Sequence, residues 1–98
     1  MSGSFSVWAE IFGRRQPSSS AGRVPALGEF YVHYPEHGPV EYAEVIGVYK
    51  EAAEILHVRF RLVYGYQDKT TELGERTLAV ALFNRRFTQH LKRDAAAE

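Results

Sequence analysis

The chain has 98 residues, of which 45 % are hydrophobic and 24 % charged, and this composition is typical of a single globular domain. It contains no cysteine, which excludes disulfides, thiolate catalysis and zinc sites built from cysteine. Twelve Lys and Arg residues balance twelve Asp and Glu residues. A dedicated nucleic-acid-binding domain is usually strongly basic, so the balanced charge argues against tight phosphate binding.

The charges are unevenly distributed along the chain. Residues 1–23 carry three basic groups and one acidic group, residues 24–84 carry five and nine, and residues 85–98 carry four and two. Basic ends around an acidic middle suit weak steering or self-association. The first residues lack the apolar run of a signal peptide, and no stretch of the sequence is apolar enough to span a membrane. We therefore expect a cytoplasmic protein.

Residues 1–13 are predicted to form an amphipathic segment. Its large apolar side chains recur at helical spacing: Phe5, Trp8, Ile11 and Phe12. The alternation of Phe5 and Val7 also permits a strand. Residues 14–26, rich in Ser, Pro and Gly, are predicted to be a flexible linker. A helix this short is marginal alone, so the stripe must be buried on the chain's own barrel, on another protein, or on a second copy in a homodimer.

Residues 27–98 are predicted to form a β-barrel domain with a closing helix. Strands are indicated at 29–34, 41–50 and 54–66, because β-branched and aromatic residues are concentrated there and the last segment alternates between apolar and charged residues. Gly47, inside the second strand, predicts a bulge or a sharp bend. The four residues EAAE after this strand are short enough for a hairpin connection.

The remaining chain is predicted as a polar loop over 66–76, a fourth strand over 77–83 and a helix over 85–98. Asn84 would cap this helix, and Phe87 and Leu91 would form its apolar side. Strands joined by short turns, without a βαβ rhythm, favour a mainly β fold: a small antiparallel, partly open barrel with a short amino-terminal element and a carboxy-terminal helix.

The motif HYPEH, which begins at His33, has the H-x-x-E-H order of one class of zinc peptidase. That chemistry requires a helix to bring both imidazoles to one zinc ion. Pro35 lies between the histidines, and Gly38 and Pro39 follow directly, so the segment has the composition of a turn. We therefore expect His33 at the end of a strand and His37 in a loop, without a metal.

Three strand segments carry a family resemblance: Tyr31-Val-His33-Tyr34, Val45-Ile-Gly47-Val48 and Phe60-Arg61-Leu-Val63-Tyr64-Gly65. Through these three segments, residues 28 to 83 resemble a short, uncharacterised bacterial domain family. The landmarks of that family are Y-x-H-Y, V-x-G-V and Y-R-x-L-Y-G. The resemblance implies a compact SH3-like barrel. It implies no activity, because none is established for that family.

No assembled catalytic grouping is present in a workable context, so we expect a non-catalytic protein without a cofactor. The strands carry more tyrosines than a small core needs, and tyrosine suits a half-exposed interface. We therefore predict a binding or adaptor module that docks a protein or peptide on a tyrosine-lined surface. The candidate partner-binding residues are Tyr31, His33, Tyr34, Arg61, Tyr64 and Trp8.

The alternative function is weak binding of RNA or single-stranded DNA through a basic strand face. His57, Arg59 and Arg61 project from one side of the third predicted strand. Small barrels use such faces to meet phosphates while bases stack on nearby aromatic rings. A second interpretation is that these arginines pair across the sheet with glutamates of the neighbouring strand, an arrangement common in sheets.

Overall fold

The computed structural model describes residues 15–51, 53–67 and 69–92. These residues form six strands and one short helix: β1 (Gln16–Ser19), β2 (Phe30–His33), β3 (Val40–Lys50), β4 (Leu56–Tyr66), β5 (Lys69–Ala79), α1 (Val80–Arg86) and β6 (Gln89–Lys92). The predicted amphipathic segment over residues 1–13 lies outside the described residues.

The described strands form one antiparallel sheet in the order β1-β6-β2-β3-β4-β5. Strands β1 and β5 lie at opposite ends of this order, so the sheet is open within the part of the chain that is described. The predicted mainly β class, with a small antiparallel, partly open architecture and a helix near the carboxyl terminus, is confirmed. No helix among the described residues has the length and apolar character needed to cross a membrane.

Strands β3 and β4 form the long central hairpin predicted from the sequence. Along β4, Val58 and Phe60 are buried while Arg59 between them is exposed, which is the period-two pattern of a half-buried strand. The pairing register shifts between Val45 and Gly47. The predicted irregularity at Gly47 is therefore a bulge.

Residues 66–76, predicted as a polar loop, instead belong mostly to β5, which pairs with β4 over its whole length. Among the described strands β5 has one neighbour, and most of its side chains are exposed, so it lacks the apolar alternation that marks a half-buried strand. Gly74 has a φ of +90°, and the register of β4 and β5 shifts nearby. Arg76 Nη1 donates to the Leu73 and Glu75 carbonyl oxygens at 2.9 and 3.1 Å. A bulge and a covering guanidinium protect an edge strand from pairing with other chains.

The predicted flexible linker over residues 14–26 instead contains β1, which pairs with β6 from Gln16 opposite Lys92 to Ser19 opposite Gln89. The next residue, Ser20, is buried, and its hydroxyl donates to the Phe87 carbonyl at 2.8 Å. Main-chain pairing needs no apolar side chains, so a polar strand of this kind has the composition of a linker.

The helix lies earlier in the chain than predicted. The sequence predicts a strand over 77–83, but β5 ends at Ala79 and residues Val80–Arg86 are helical. Asn84 caps nothing: it lies within α1 and donates from Nδ2 to the Arg23 carbonyl at 2.9 Å. The segment after α1 pairs as β6 with β1 and β2 up to Lys92, and residues 93–98 lie outside the described part. The apolar run over residues 78–83 is short enough to fit a strand or a buried helix equally well, which explains the shift.

Two apolar clusters lie on opposite faces of the sheet. The Phe83 cluster joins the sheet to α1 and contains Tyr31, Ala43, Val45, Val58, Phe60, Phe83 and Phe87. The Val32 cluster contains Phe30, Val32, Val63 and Leu91. Neighbouring residues of β2 thus enter different clusters, because successive side chains of a strand point to opposite faces. Strand β2 is consequently buried on both sides.

The substitution Phe83→Ala should lower the free energy of unfolding by about 3–5 kcal/mol, since it removes a fully buried aromatic ring. The Phe83 ring lies 5.2 Å from the rings of Tyr31 and Phe60 and 4.8 Å from that of Phe87. The matched control is Leu82→Ala in the same helix, where the side chain is half exposed and the loss should be about 0.5 kcal/mol. Urea denaturation measures both, and equal losses would contradict the placement of α1.

Candidate functional site

Tyr31, predicted to face a partner, lies in the core instead. Its exposure is 0 %, and its ring packs edge-on against Phe83. The hydroxyl donates to Glu29 Oε1 at 2.7 Å and accepts from Arg23 Nε at 3.2 Å. Burial, reinforced by the hydrogen bond to Glu29, raises the pKa of Tyr31. A ring with no exposed surface cannot contact a partner, so Tyr31 supports the fold.

Glu29 and His90 complete a polar network around the Tyr31 hydroxyl. Burial raises the pKa of Glu29, but hydrogen bonds from Tyr31, Arg23 and the Ala26 amide outweigh it, and the net pKa is lowered. His90 Nε2 lies 3.7 Å from Glu29 Oε2. Burial first, and then the charge of Arg23, lowers the pKa of His90. The imidazole is therefore neutral at neutral pH, and its contact with Glu29 is not an ion pair there.

Tyr34 and His33 point to different parts of the molecule. Tyr34 directly follows β2 and is half exposed. Partial burial raises the pKa of the Tyr42 phenol, and nearby Tyr34 raises it further. Tyr42 packs against the Val32 cluster, so Tyr34 belongs to that side of the sheet. His33 ends β2 and pairs with Glu41 on the opposite side. The predicted tyrosine surface around Tyr31, Tyr34 and Tyr64 is therefore not assembled, and Trp8 lies outside the described residues.

The basic strand face is neutralised by carboxylates. Arg61 Nη1 donates to Glu44 Oε1 at 2.7 Å across β3 and β4. Arg59 Nε lies 3.1 Å from Glu75 Oε1 across β4 and β5. The interpretation that these arginines pair across the sheet is thus confirmed, although for Arg59 the partner strand is β5. His57, the third residue of this face, stacks on Tyr49 with a ring distance of 6.0 Å and bonds through Nδ1 with the Ile55 carbonyl oxygen at 2.9 Å.

A row of polar side chains crosses the sheet on the side of α1. In the register of the sheet, His33 of β2 lies opposite Glu41 of β3, and Glu41 lies opposite Tyr64 of β4. Tyr64 in turn lies opposite Thr71 of β5. Arg86 of α1 donates to both carboxylate oxygens of Glu41, from Nε at 2.9 Å and from Nη2 at 2.6 Å. The Glu41 side chain is 10 % exposed, and its hydrogen bond raises the pKa of Arg86. This bidentate ion pair fixes the end of α1 against β3.

Two clefts share Tyr64. The larger, about 680 Å³, is here called the hairpin cleft; Gly38 and Pro39 line one part of it and Tyr64, Tyr66 and Lys69 another. The smaller, about 230 Å³, is called the helix cleft. Apolar and basic side chains line it on the other side of Tyr64: Phe60, Leu62, Leu78, Arg76 and Arg86. Together the clefts follow the face of the β4–β5 hairpin from α1 to the β4–β5 turn.

The clefts combine aromatic surface with a modest positive charge. Among the described lining residues the cations are Lys69, Arg76 and Arg86, and the one carboxylate is Glu41. Because Glu41 is already paired with Arg86, Lys69 and Arg76 leave the lining net positive. No group of three His, Cys, Asp or Glu side chains suited to a metal ion occurs within residues 15–51, 53–67 and 69–92. What these side chains offer a ligand is apolar contact and charged hydrogen-bond donors.

Of the predicted site residues, the clefts include Tyr64; His33 belongs to the same row, but Glu41 lies between them. Sequence reasoning missed Tyr66, although the alternation along β4 places Tyr64 and Tyr66 on one face. It also missed the pair of Glu41 and Arg86, which are 45 residues apart. No local pattern reveals such a contact, because it depends on where α1 packs.

The free energy of unfolding should fall as the pH is lowered from about 6.5 toward 5, through His90. The ordinary imidazole pKa is 6.5 and the folded protein lowers it, so the unfolded chain takes up a proton that the folded chain resists. Glu29 acts in a separate window: its lowered pKa stabilises the fold above 4.5 and that contribution is lost at lower pH. Urea denaturation at several pH values measures this dependence. Between about pH 6.5 and 5 the free energy of unfolding should change less with pH in His90→Gln than in the unsubstituted protein, whereas the exposed loop variant His37→Gln should not differ from it. An unchanged slope in His90→Gln would contradict this assignment.

Comparison with protein-family models, with curated proteins and with solved structures finds no match to this chain. The resemblance of residues 28 to 83 to a short bacterial domain family therefore stays a prediction.

Proposed function

We propose that the protein is a non-catalytic binding module that docks an extended peptide of another protein in the hairpin and helix clefts. The observation that carries the proposal is the arrangement of two adjoining clefts around Tyr64, with Tyr66 60 % exposed beside it. Tyr64 and Tyr66 are the expected contact residues.

The size of the clefts suits an extended segment. On β4 they run from Phe60 to Tyr66, and the six steps between these residues correspond to about 20 Å of strand. A peptide of about six extended residues has the same length. Tyr64 and Tyr66 lie on a paired strand rather than on a loop, so they offer aromatic contact area at a small entropic cost.

The charge of the clefts favours an acidic partner. Lys69 and Arg76 are not compensated by a carboxylate among the described lining residues. A peptide with an aromatic or aliphatic anchor and a neighbouring Asp or Glu would place its apolar group against Tyr64 and its carboxylate near these cations. Such charges steer the encounter and set the register more than they add to affinity.

The alternative proposal, weak binding of single-stranded nucleic acid through His57, Arg59 and Arg61, has less support. Both arginines already hold carboxylates, so a phosphate would have to displace Glu75 and Glu44. Phosphate binding draws its affinity from released counterions, which requires uncompensated cations.

A phage-displayed library of random linear peptides, selected on the full chain, tests the proposal. We expect enriched peptides that combine an apolar anchor with an acidic residue. Tyr66→Ser should weaken their binding by about tenfold to thirtyfold, since losing a central aromatic contact costs about 1.4–2 kcal/mol. Its effect on the free energy of unfolding should stay within about 0.5 kcal/mol because the ring is exposed.

The matched control is Tyr49→Ser, which removes a partly exposed tyrosine that stacks on His57 away from the clefts. It should leave peptide binding unchanged in isothermal titration calorimetry. Equal losses in both variants, or no enriched peptide, would contradict the proposal. Binding of a single-stranded oligonucleotide that disappears in Arg59→Ala and falls steeply with salt would favour the alternative.

A further inference from the structure

The Val32 cluster needs a covering layer. Its members Phe30, Val32, Val63 and Leu91 are at most 7 % exposed, and Val40 and Tyr42 pack against them. Within the described residues, every buried or half-buried apolar side chain of this cluster comes from the sheet itself, from strands β6, β2, β3 and β4. A sheet face buries its side chains against another layer. On the opposite face that layer is α1, through Phe83.

The chain enters the described structure at this face. The guanidinium carbon of Arg15 lies 4.6 Å from the centroid of the Phe30 ring. Phe12 precedes Arg15 by three residues, a distance of at most about 11 Å along an extended chain. The end of the amphipathic segment is therefore held within reach of the Val32 cluster.

We propose that this chain's own residues 1–13 form the layer that covers the Val32 cluster, with Phe5, Trp8, Ile11 and Phe12 directed toward it. A helix over residues 4–12 would be about 14 Å long, and four neighbouring strands are about 14 Å across. The stripe of apolar side chains thus matches the Val32 cluster in length and in apolar character. Trp8 is then part of the fold, and the partner-binding surface consists of the two clefts.

The pairing of β1 favours burial of residues 1–13 on the chain's own sheet over burial on a second copy. Residues from Gln16 onward pair with β6, so the connection from Phe12 to the anchored chain is three residues rather than a long serine linker. A short tether gives its own face an effective concentration in the millimolar range or higher. Insertion of the segment into a second copy would have to outcompete this intramolecular contact, which ordinary protein concentrations do not allow.

Trp8 is the single tryptophan of the chain, so its fluorescence reports on this segment alone. In the full-length protein we expect emission shifted to short wavelength and protected from acrylamide, and we expect both to remain unchanged on dilution. Emission like that of tryptophan in water would overturn the proposal. Protection that is lost on dilution would also overturn it and would indicate a second copy.

Two serine substitutions localise the contact. Val40→Ser alters the edge of the Val32 cluster, and Val48→Ser alters the edge of the Phe83 cluster on the opposite face; both side chains are half-buried valines of β3. With circular dichroism showing both variants folded, Val40→Ser should raise the acrylamide quenching of Trp8 several-fold, and Val48→Ser should leave it unchanged. Equal quenching in the two variants would place the segment elsewhere and overturn the proposal.

Discussion

The structure depends on the burial of strand β2 on both of its faces. Phe30 and Val32 enter one apolar cluster and Tyr31 enters the other, and all three are at most 7 % exposed. The strand also bonds on both edges, to β3 and to β6. Four residues thus join the central hairpin to the carboxy-terminal strand. A short strand surrounded in this way tolerates little change, because a shift by one residue would exchange its two faces.

The same arrangement leaves the far end of the β4–β5 hairpin outside the core. The Phe83 cluster and α1 cover the near end of this face, and Arg86 anchors the end of α1 to Glu41. Beyond that ion pair, the strands continue to Tyr66, which is exposed. The site we propose therefore lies where the core ends and rigid strands carry apolar side chains into solvent. Rigid presentation of aromatic side chains is what a docking surface requires.

The sequence predicted β3, β4 and the bulge at Gly47, because half-buried strands alternate visibly. Gly65 has a steric reason that the sequence does not reveal, since a Cβ there would lie 2.8 Å from Cε2 of Tyr42 on the neighbouring strand. Strand β1 and the part of β5 before Thr77 escaped prediction, because pairing through the main chain at a sheet edge leaves no apolar pattern. The candidate site was harder to predict, because Tyr31 and Tyr66 are the same residue type in similar strands. Which of them is buried depends on β6 and α1, which pack from distant parts of the sequence.

Hydrogen–deuterium exchange, resolved for each amide by NMR, tests this account most directly. Amides of β2 and of the β3 segment paired with it should exchange only when the whole domain unfolds, with the free energy measured by urea denaturation. Amides from Tyr64 to Thr71 should exchange through local opening at a lower free energy, because the hairpin end lies beyond the core. If β2 exchanged through local opening, or the hairpin end exchanged as slowly as β2, the central role of β2 would be contradicted.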